Sequence, residues 1–137
     1  MSAEHDYAKT PLPQKLGFKS GMRVLALHAP PQLHQLLAGA PPLQRLKRVG
    51  PFDCALAFAT TEPVLVRLFA KLVPRLVDDG MIWMAWPKKA SGVSTDLTGE
   101  VVRRAGLAAG LVDVKVCAID ATWSGLKFVR RLRDRNG

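Results

Sequence analysis

The sequence predicts an α/β fold: a three-layer, Rossmann-like, mostly parallel sheet that closes with an antiparallel C-terminal hairpin. Three short apolar runs, at residues 22–28, 53–59 and 81–86, have the near-continuous hydrophobicity of parallel strands buried on both faces. Helical spacing of apolar residues follows the second and the third run. Near the C-terminal end, residues 120–122 form a tight turn between two strand-like segments, and strands joined so closely pair antiparallel.

The first part of the chain contains one clear strand and three shorter elements. Thr10 before Pro11 is a cap-then-proline pattern, which predicts a short helix with Leu12 and Leu16 on its inner face. The predicted elements of this part are that helix, ended by Gly17, a strand at 22–28, a short helix at 32–38 and a short edge strand at 43–49.

The rest of the chain alternates strand and helix before the hairpin. After the strand at 53–59, Thr61 is predicted to cap a helix that has Pro63 in its first turn and that Pro74 kinks or ends. The buried stripe of this helix is predicted to be Leu65, Leu68, Phe69, Leu72 and Leu76. The remaining predicted elements are a turn at 78–80, a strand at 81–86, a helix at 97–109 ended by Gly110, and hairpin strands at 111–119 and 123–132.

Composition limits the class of protein. The 137 residues, 48% hydrophobic, are enough for one domain with its own core, so we expect a single domain over residues 1–137 with loose tails at 1–9 and 133–137. No apolar run is long enough to span a bilayer and residues 1–13 have no signal pattern, which predicts a cytoplasmic protein with no membrane partner. Cys54 and Cys117 are expected to be buried, reduced thiols, and no metal-ligand spacing is present.

The net charge of +9 is spread along the chain and favours anionic partners without naming one. One basic row, at Arg67, Lys71 and Arg75, recurs at helical spacing, and the simplest interpretation is a solvated helix face.

Three segments carry a resemblance to known proteins: TPLPQKLGFKSGMRVL at 10–25, WPKKASGVSTDLT at 86–98 and LVDVKVCAIDATWSGLKF at 111–128. Through them the chain resembles a family of small uncharacterised bacterial proteins, a domain of unknown function. The order of elements also resembles a shortened S-adenosylmethionine (SAM) methyltransferase fold, which ends in a similar hairpin. The resemblance implies the fold and leaves the activity open.

The resemblance to methyltransferases implies a cofactor site that can be compared residue by residue. In that family the first strand ends in an acid and a glycine-rich turn, whereas here Ala26 stands at the acid position and His28, Pro30 and Gln32 stand at the glycine positions. The second strand should end in an acid that holds the ribose, but residues 43–50 offer Arg48 and no acid. We therefore expect the standard SAM site to be absent and the cofactor to be unknown.

A binding site is predicted where the parallel strands end. Four loops, at 28–31, 60–61, 87–95 and 120–124, should meet at the carboxyl edge of the sheet. Lys88 and Lys89 offer charge, hydroxyl groups offer hydrogen bonds and Trp123 offers a stacking face for an anion. The predicted ligand-binding residues are His28, Thr60, Lys88, Lys89, Ser91, Thr95, Trp123 and Ser124. No catalytic set is visible, and Asp120 has the simpler role of stabilising its own turn.

Three functions follow as hypotheses, and the sequence leaves open whether the protein is an enzyme. The first is a non-catalytic or weakly catalytic module that binds an anionic, nucleotide-like small molecule at the carboxyl edge. The second is a divergent SAM-dependent methyltransferase, which rests on fold analogy. The third is a basic module that binds nucleic acid or protein, although no nucleic-acid motif is present. The oligomeric state stays open.

Overall fold

A computed structural model describes residues 10–135 of the chain, and six strands form its central sheet. The strands are β1 (Arg23–Leu27), β2 (Gln44–Arg45), β3 (Phe52–Phe58), β4 (Leu76–Pro87), β5 (Leu111–Ala118) and β6 (Trp123–Arg130). Their order in the sheet is β2-β1-β3-β4-β6-β5. The first four are mutually parallel, and β6 pairs antiparallel with both β4 and β5. The predicted α/β class with a closing antiparallel hairpin is therefore confirmed.

Helices cover both faces of this sheet, because β3 and β4 are apolar on both faces. The helices are α1 (Leu12–Leu16), α2 (Leu33–Leu36), α3 (Glu62–Leu72) and α4 (Gly99–Ala108). One apolar cluster joins α3 and α4 to alternate strand residues such as Ala55 and Met84. The other joins α1 and α2 to the intervening residues, including Leu56 and Trp83. Among residues 10–135, no helix is long and apolar enough to cross a membrane.

Trp83 fastens α1 to the sheet. Its side chain is only 1% exposed, and its indole Nε1 donates a hydrogen bond of 3.1 Å to the Leu16 carbonyl oxygen. Leu16 is itself buried, whereas Leu12 is only partly so. The indole thus satisfies its own polar group and one orphan carbonyl at the end of a very short helix.

The strand β4 begins earlier than the sequence indicates. Residues 78–80 were expected to be a turn, but they lie within β4 at an irregularity where the register against β3 shifts. Gly80 is required there, because a Cβ at this position would lie 2.9 Å from the Asp53 carbonyl oxygen. A glycine beside two aspartates is typical of a turn, but residues 76 and 81 on either side both pair with β3, so the segment between them forms an irregularity inside the strand.

The edge strand β2 is shorter than predicted. It has two residues, which pair with Arg23 and Val24 at the start of β1, and residues 46–51 then lead to β3. No strand therefore covers the outer side of β1 at its carboxyl end, and Ala26 is exposed there. The exposed Arg48 lies in the 46–51 segment and does not follow a strand that ends at the carboxyl edge.

Helix and chain ends differ from the predictions in detail. The predicted helix at 32–38 is limited to α2, and the helix predicted at 97–109 begins at Gly99, where the Thr98 hydroxyl accepts a hydrogen bond of 3.2 Å from the Val101 amide. Leu132–Asp134 form a 3₁₀ turn, and Arg135 donates two hydrogen bonds to the Arg130 carbonyl oxygen. The predicted loose tail at 1–9 lies outside the described residues, as do residues 136 and 137 of the other tail.

Arg23 and Asp53 join β1 to β3 at the amino edge. The Arg23 backbone amide and guanidinium Nε donate to one carboxylate oxygen, at 2.8 and 3.1 Å, and a second guanidinium nitrogen donates to the other at 3.2 Å. The side-chain hydrogen bond from Arg23 lowers the pKa of Asp53 and outweighs the opposing effect of burial. Asp53 thus lies at the edge of the sheet opposite the predicted site.

The packing of α4 on β6 predicts the effect of one methyl group. An added Cβ at Gly106 would lie 2.1 Å from a ring carbon of Phe128, which is fully buried and packs edge-on against Phe69. Alanine normally stabilises a helix interior by about 1 kcal/mol relative to glycine. Here the overlap should dominate, and Gly106→Ala should lower the free energy of unfolding by about 2 kcal/mol or more, as measured by urea denaturation.

Gly50→Ala is the matched control for that substitution. An added Cβ at Gly50 meets nothing within 4 Å, and its φ lies outside the left-handed region. Its stability should stay within about 0.5 kcal/mol of the parent. Equal stability of the two variants would contradict the packing of α4 against Phe128.

Candidate functional site

The loops that follow the parallel strands meet at the carboxyl edge, and hydrogen bonds join them in pairs. The Thr95 hydroxyl donates to the Thr60 carbonyl oxygen at 2.6 Å, and the Lys88 amide donates to the Thr122 carbonyl oxygen at 2.7 Å. The Gln32 side-chain amide reaches Asp120 at 3.1 Å. The loop at 87–95 is therefore joined both to the loop at 60–61 and to the loop at 120–124. The loop at 28–31 is joined to the loop at 120–124 through Gln32, the residue that directly follows it.

His28, directly after β1, has the most unusual backbone of this edge. Its φ of 57° lies in the left-handed region, and no other non-glycine residue among those described has a positive φ. Left-handed geometry is the conformation for which a glycine is normally selected, and histidine tolerates it better than most residues. The sharp turn expected from glycine is thus formed by a histidine, whose side chain is exposed at the rim.

Asp120 organises the hairpin turn and links it to the loop after β1. One carboxylate oxygen accepts hydrogen bonds of 2.8 Å from the amides of Thr122 and Trp123, and the other accepts the bond from Gln32. Burial raises the pKa of Asp120, but these hydrogen bonds and the charge of Lys88 outweigh it, so the net pKa lies below the ordinary value. Asp120 therefore stabilises its own turn, as predicted, and also fixes the position of Gln32.

The start of α3 is held by residues of the loop after β4. Asp96 accepts a hydrogen bond of 3.0 Å from the Glu62 amide, while the Thr61 side chain makes no capping bond. Asp96 lies outside α3 and caps it from the loop after β4. A carboxylate at a helix N-terminus is stabilised by the unpaired amides and the helix dipole.

Two hydroxyl groups of the predicted site have partners within the protein. Ser91 donates to the Lys88 carbonyl oxygen at 2.6 Å and accepts from the Val93 amide at 3.2 Å. Thr95, besides its bond to Thr60, accepts from the Leu97 amide at 3.0 Å. Both hydroxyls therefore shape the 88–97 loop, and their role in binding stays a prediction.

The two lysines and the aromatic residue of the predicted site have different neighbours. Lys88 interacts electrostatically with Asp120, whereas the exposed Lys89 lines a cavity of about 320 Å³ beside Trp86 and Asp96. Trp123 is half-buried and packs edge-on against Phe58, with ring centroids 5.1 Å apart. The predicted convergence of both ammonium groups on one anion has no support in these contacts.

Ser124 and Thr60 lie on opposite sides of β4. Ser124 is half-buried in β6, paired with Trp86, while Thr60 follows β3. The predicted residues therefore belong to several strands and loops along the carboxyl edge, and their joint role in binding stays a prediction.

A second cavity of about 350 Å³ lies at this edge between His28 and α3, and Arg67 and Lys71 line it. From the sequence, these two cations were interpreted as part of a solvated helix face. The sequence also gave no sign that Gln32 or Asp96 makes hydrogen bonds within the protein. Helical spacing identified the Arg67–Lys71 pair, but only the packing of α3 beside β1 places it next to His28.

Comparison with protein-family models gave no match, and comparison with curated proteins gave none either. Solved structures gave clear matches of fold. A ribosomal protein L11 methylase from Lactobacillus delbrueckii subsp. bulgaricus is 14% identical, with a TM-score of 0.58 over 88% of this chain and 75% of that one. The magnesium protoporphyrin IX methyltransferase of Synechocystis with bound S-adenosylhomocysteine (SAH) is 10% identical, with a TM-score of 0.55 over 82% and 75%.

A methyltransferase of calicheamicin biosynthesis in its SAH-bound form gives a TM-score of 0.61 at 11% identity and covers 93% of this chain and 55% of that one. The methyltransferase-like Rossmann fold is therefore confirmed, while no family model supports the resemblance to a bacterial family of unknown function.

The expectation that the standard SAM site is absent is wrong. The fold is shared with methyltransferases, two of which hold SAH in the structures compared. His28 adopts the left-handed conformation for which glycine is normally selected, so a sharp turn follows β1 without a glycine. The strand β2 pairs only with the start of β1 and presents no residue at the carboxyl edge.

The Asp120 contacts predict a pH-dependent hairpin. Asp120→Ala leaves two turn amides and Gln32 without their acceptor and should lower the free energy of unfolding by about 1–2 kcal/mol at pH 7. Because the pKa of Asp120 is lowered in the folded protein, its contribution is complete above the ordinary value of 3.8 and disappears as the pH falls through the lowered pKa.

Asp120→Asn keeps one turn acceptor without the titrating charge, so its unfolding free energy should fall less than the parent's between pH 5 and pH 2, a range set by ordinary carboxyl pKa values of about 4. Asp134→Asn, at an exposed carboxylate with no side-chain bond among residues 10–135, is the control and should follow the parent profile. Identical profiles for all three proteins would contradict the role of Asp120. Urea denaturation at each pH measures them.

Proposed function

We propose that this chain is a divergent SAM-dependent methyltransferase that binds its cofactor at the carboxyl edge, between the loops after β1 and β3. The observation that carries the proposal is the left-handed turn at His28 within a methyltransferase-like fold. A turn of this kind ends β1 abruptly and leaves space above the strand for a ligand.

The position follows from the topology. The neighbouring strands β1 and β3 have onward connections that run in opposite directions across the sheet, to β2 and to β4. Ligands of open α/β sheets bind in the crevice at such a switch point, outside the carboxyl ends of the strands. The crevice is bordered by residues 28–32 on one side and by Thr60 and Thr61 on the other, and Thr95 and Asp96 hold the second border in place.

The residues present fit the cofactor at this point. The side chain of Ala26 is small and exposed, and no strand covers β1 there, so the backbone at the end of β1 is accessible. In the proposed complex the backbone of residues 28–31 and Thr60 contacts the cofactor. The Gln32–Asp120 hydrogen bond holds the end of the first of these loops to the hairpin turn.

When bound, SAM supplies a methyl group on a positively charged sulfur. An acceptor's lone pair would form the new bond to this methyl carbon, and the electron pair of the broken bond would stay on sulfur to give SAH. The protein's contribution is to hold the acceptor in line with that bond and to limit access of water. In this proposal the exposed His28 side chain accepts the proton that the acceptor loses.

Calorimetric titration with SAH tests the proposal. The parent protein should bind with a micromolar dissociation constant. His28→Gly accommodates the same turn and should keep that affinity. His28→Val disfavours the left-handed conformation by about 1–2 kcal/mol, because valine is β-branched, and should weaken binding roughly tenfold.

Ser20→Val is the matched control, since Ser20 is exposed in the loop before β1 and has no positive φ. It should leave SAH affinity unchanged, and circular dichroism should show that every variant is folded. No heat from the parent protein up to millimolar SAH, at two temperatures, would refute the cofactor. Unchanged affinity in His28→Val would refute the location.

A further inference from the structure

The cavity between His28 and α3 lies beside the proposed cofactor crevice. Its volume of about 350 Å³ is within the range of small-molecule sites, and Val64, Leu68 and Ala70 give it an apolar wall. His28 is shared between the cavity and the crevice, so a ligand in the cavity would adjoin the cofactor.

Two cations border this cavity without a compensating acid. Arg67 and Lys71 are exposed, four residues apart on α3, and so lie on the same side of the helix. Neither has an ion-pair partner among residues 10–135, and no carboxylate lines the cavity. Glu62, the acid of α3, is five residues before Arg67 and is not placed for helical pairing.

Some other basic groups of the molecule are compensated. On α4, Arg103 is 3.3 Å from Asp113 and Arg104 is 3.6 Å from Glu100. The larger cavity at the amino edge, of about 540 Å³, places Lys127 together with Asp53 and Asp79. The cavity beside His28 therefore differs in presenting two unpaired cations and no acid.

We propose that this cavity binds a phosphate monoester group on the methyl acceptor. The inference rests on the proposed function, because an acceptor must adjoin the cofactor. A phosphate monoester carries close to two negative charges at neutral pH, which matches the two cations better than a carboxylate or a phosphodiester does. The guanidinium of Arg67 provides paired donors for phosphate oxygens, and Lys71 provides a compact charge.

The test uses ribose 5-phosphate as the probe and ribose as its uncharged counterpart, each titrated into the full chain by calorimetry at fixed ionic strength. Ribose 5-phosphate should bind and ribose should not. The double variant Arg67→Gln/Lys71→Gln should weaken the affinity at least tenfold. Both substitutions lie on the exposed side of α3 and leave its buried stripe intact.

A charge-matched control separates a site from general attraction. Lys115→Gln/Arg133→Gln also removes two positive charges, from exposed residues that make no side-chain hydrogen bond or ion pair among those described. Its affinity for ribose 5-phosphate should stay within twofold of the parent. An equal loss in both double variants, or no binding by the parent, would overturn the proposal.

Titration of SAH separates this inference from the proposed function. Arg67→Gln/Lys71→Gln should bind SAH as the parent does, and saturating ribose 5-phosphate should not weaken SAH binding. Competition between the two ligands would overturn the acceptor assignment, because the cavity would then belong to the cofactor. The parent could also bind ribose 5-phosphate through Arg67 and Lys71 without binding SAH. The proposed function would then be refuted, and the cavity would be a phosphate site but not a methyl-acceptor site.

Nucleic acid is a different source of phosphate. A twelve-residue oligouridine without a terminal phosphate presents diesters only. The proposal expects Arg67→Gln/Lys71→Gln and the control double variant to bind it equally. The assignment to a monoester would be overturned if the parent bound the oligonucleotide more tightly than ribose 5-phosphate and only Arg67→Gln/Lys71→Gln lost that preference.

Discussion

The burial of β3 and β4 on both faces is the constraint on which the rest of the structure depends. Residues 54–58 of β3 and 81–85 of β4 are apolar and buried, so these adjacent strands require a helical layer above and below, and α1 with α2 and α3 with α4 supply them. Trp83 fills one face and donates to Leu16, while Phe128 fills the other beneath Gly106. Because β4 also pairs antiparallel with β6, the same strand fixes where the hairpin turn lies relative to the carboxyl edge.

The site follows from that arrangement with few additional contacts. Parallel strands bring their following loops to one edge, and three hydrogen bonds then determine which loops touch: Thr95 to Thr60, Asp96 to the start of α3, and Gln32 to Asp120. These bonds use hydroxyl and carboxylate groups that would otherwise be candidates for ligand binding. The unpaired polar groups that remain near His28 are the cations of α3, and for this reason the inferred acceptor site lies there.

The fold could be predicted from the sequence because its signals are local and redundant. Apolar runs gave β1, β3 and β4, helical spacing gave α3, and the short turn at 120–122 required an antiparallel hairpin. Residues 78–80 were mispredicted because they form an irregularity inside β4, between residues 76 and 81, which both pair with β3. A motif comparison of the turn after β1 evaluates residue types, whereas that turn depends on a dihedral angle that histidine can also adopt. Long-range partners such as Gln32 and Asp120 have no signature in sequence spacing.

The most direct test of a cofactor at the switch point is to locate bound SAH by backbone amide chemical shifts. Addition of SAH to the isotopically labelled protein should shift the amides of residues 27–29, 32–33 and 59–62, on the two sides of the crevice. Amides at the amino edge, such as those of Lys19 and Asp79, should be unaffected. Shifts confined to the amino edge, or no shift at millimolar SAH, would contradict a methyltransferase site built on the left-handed turn at His28.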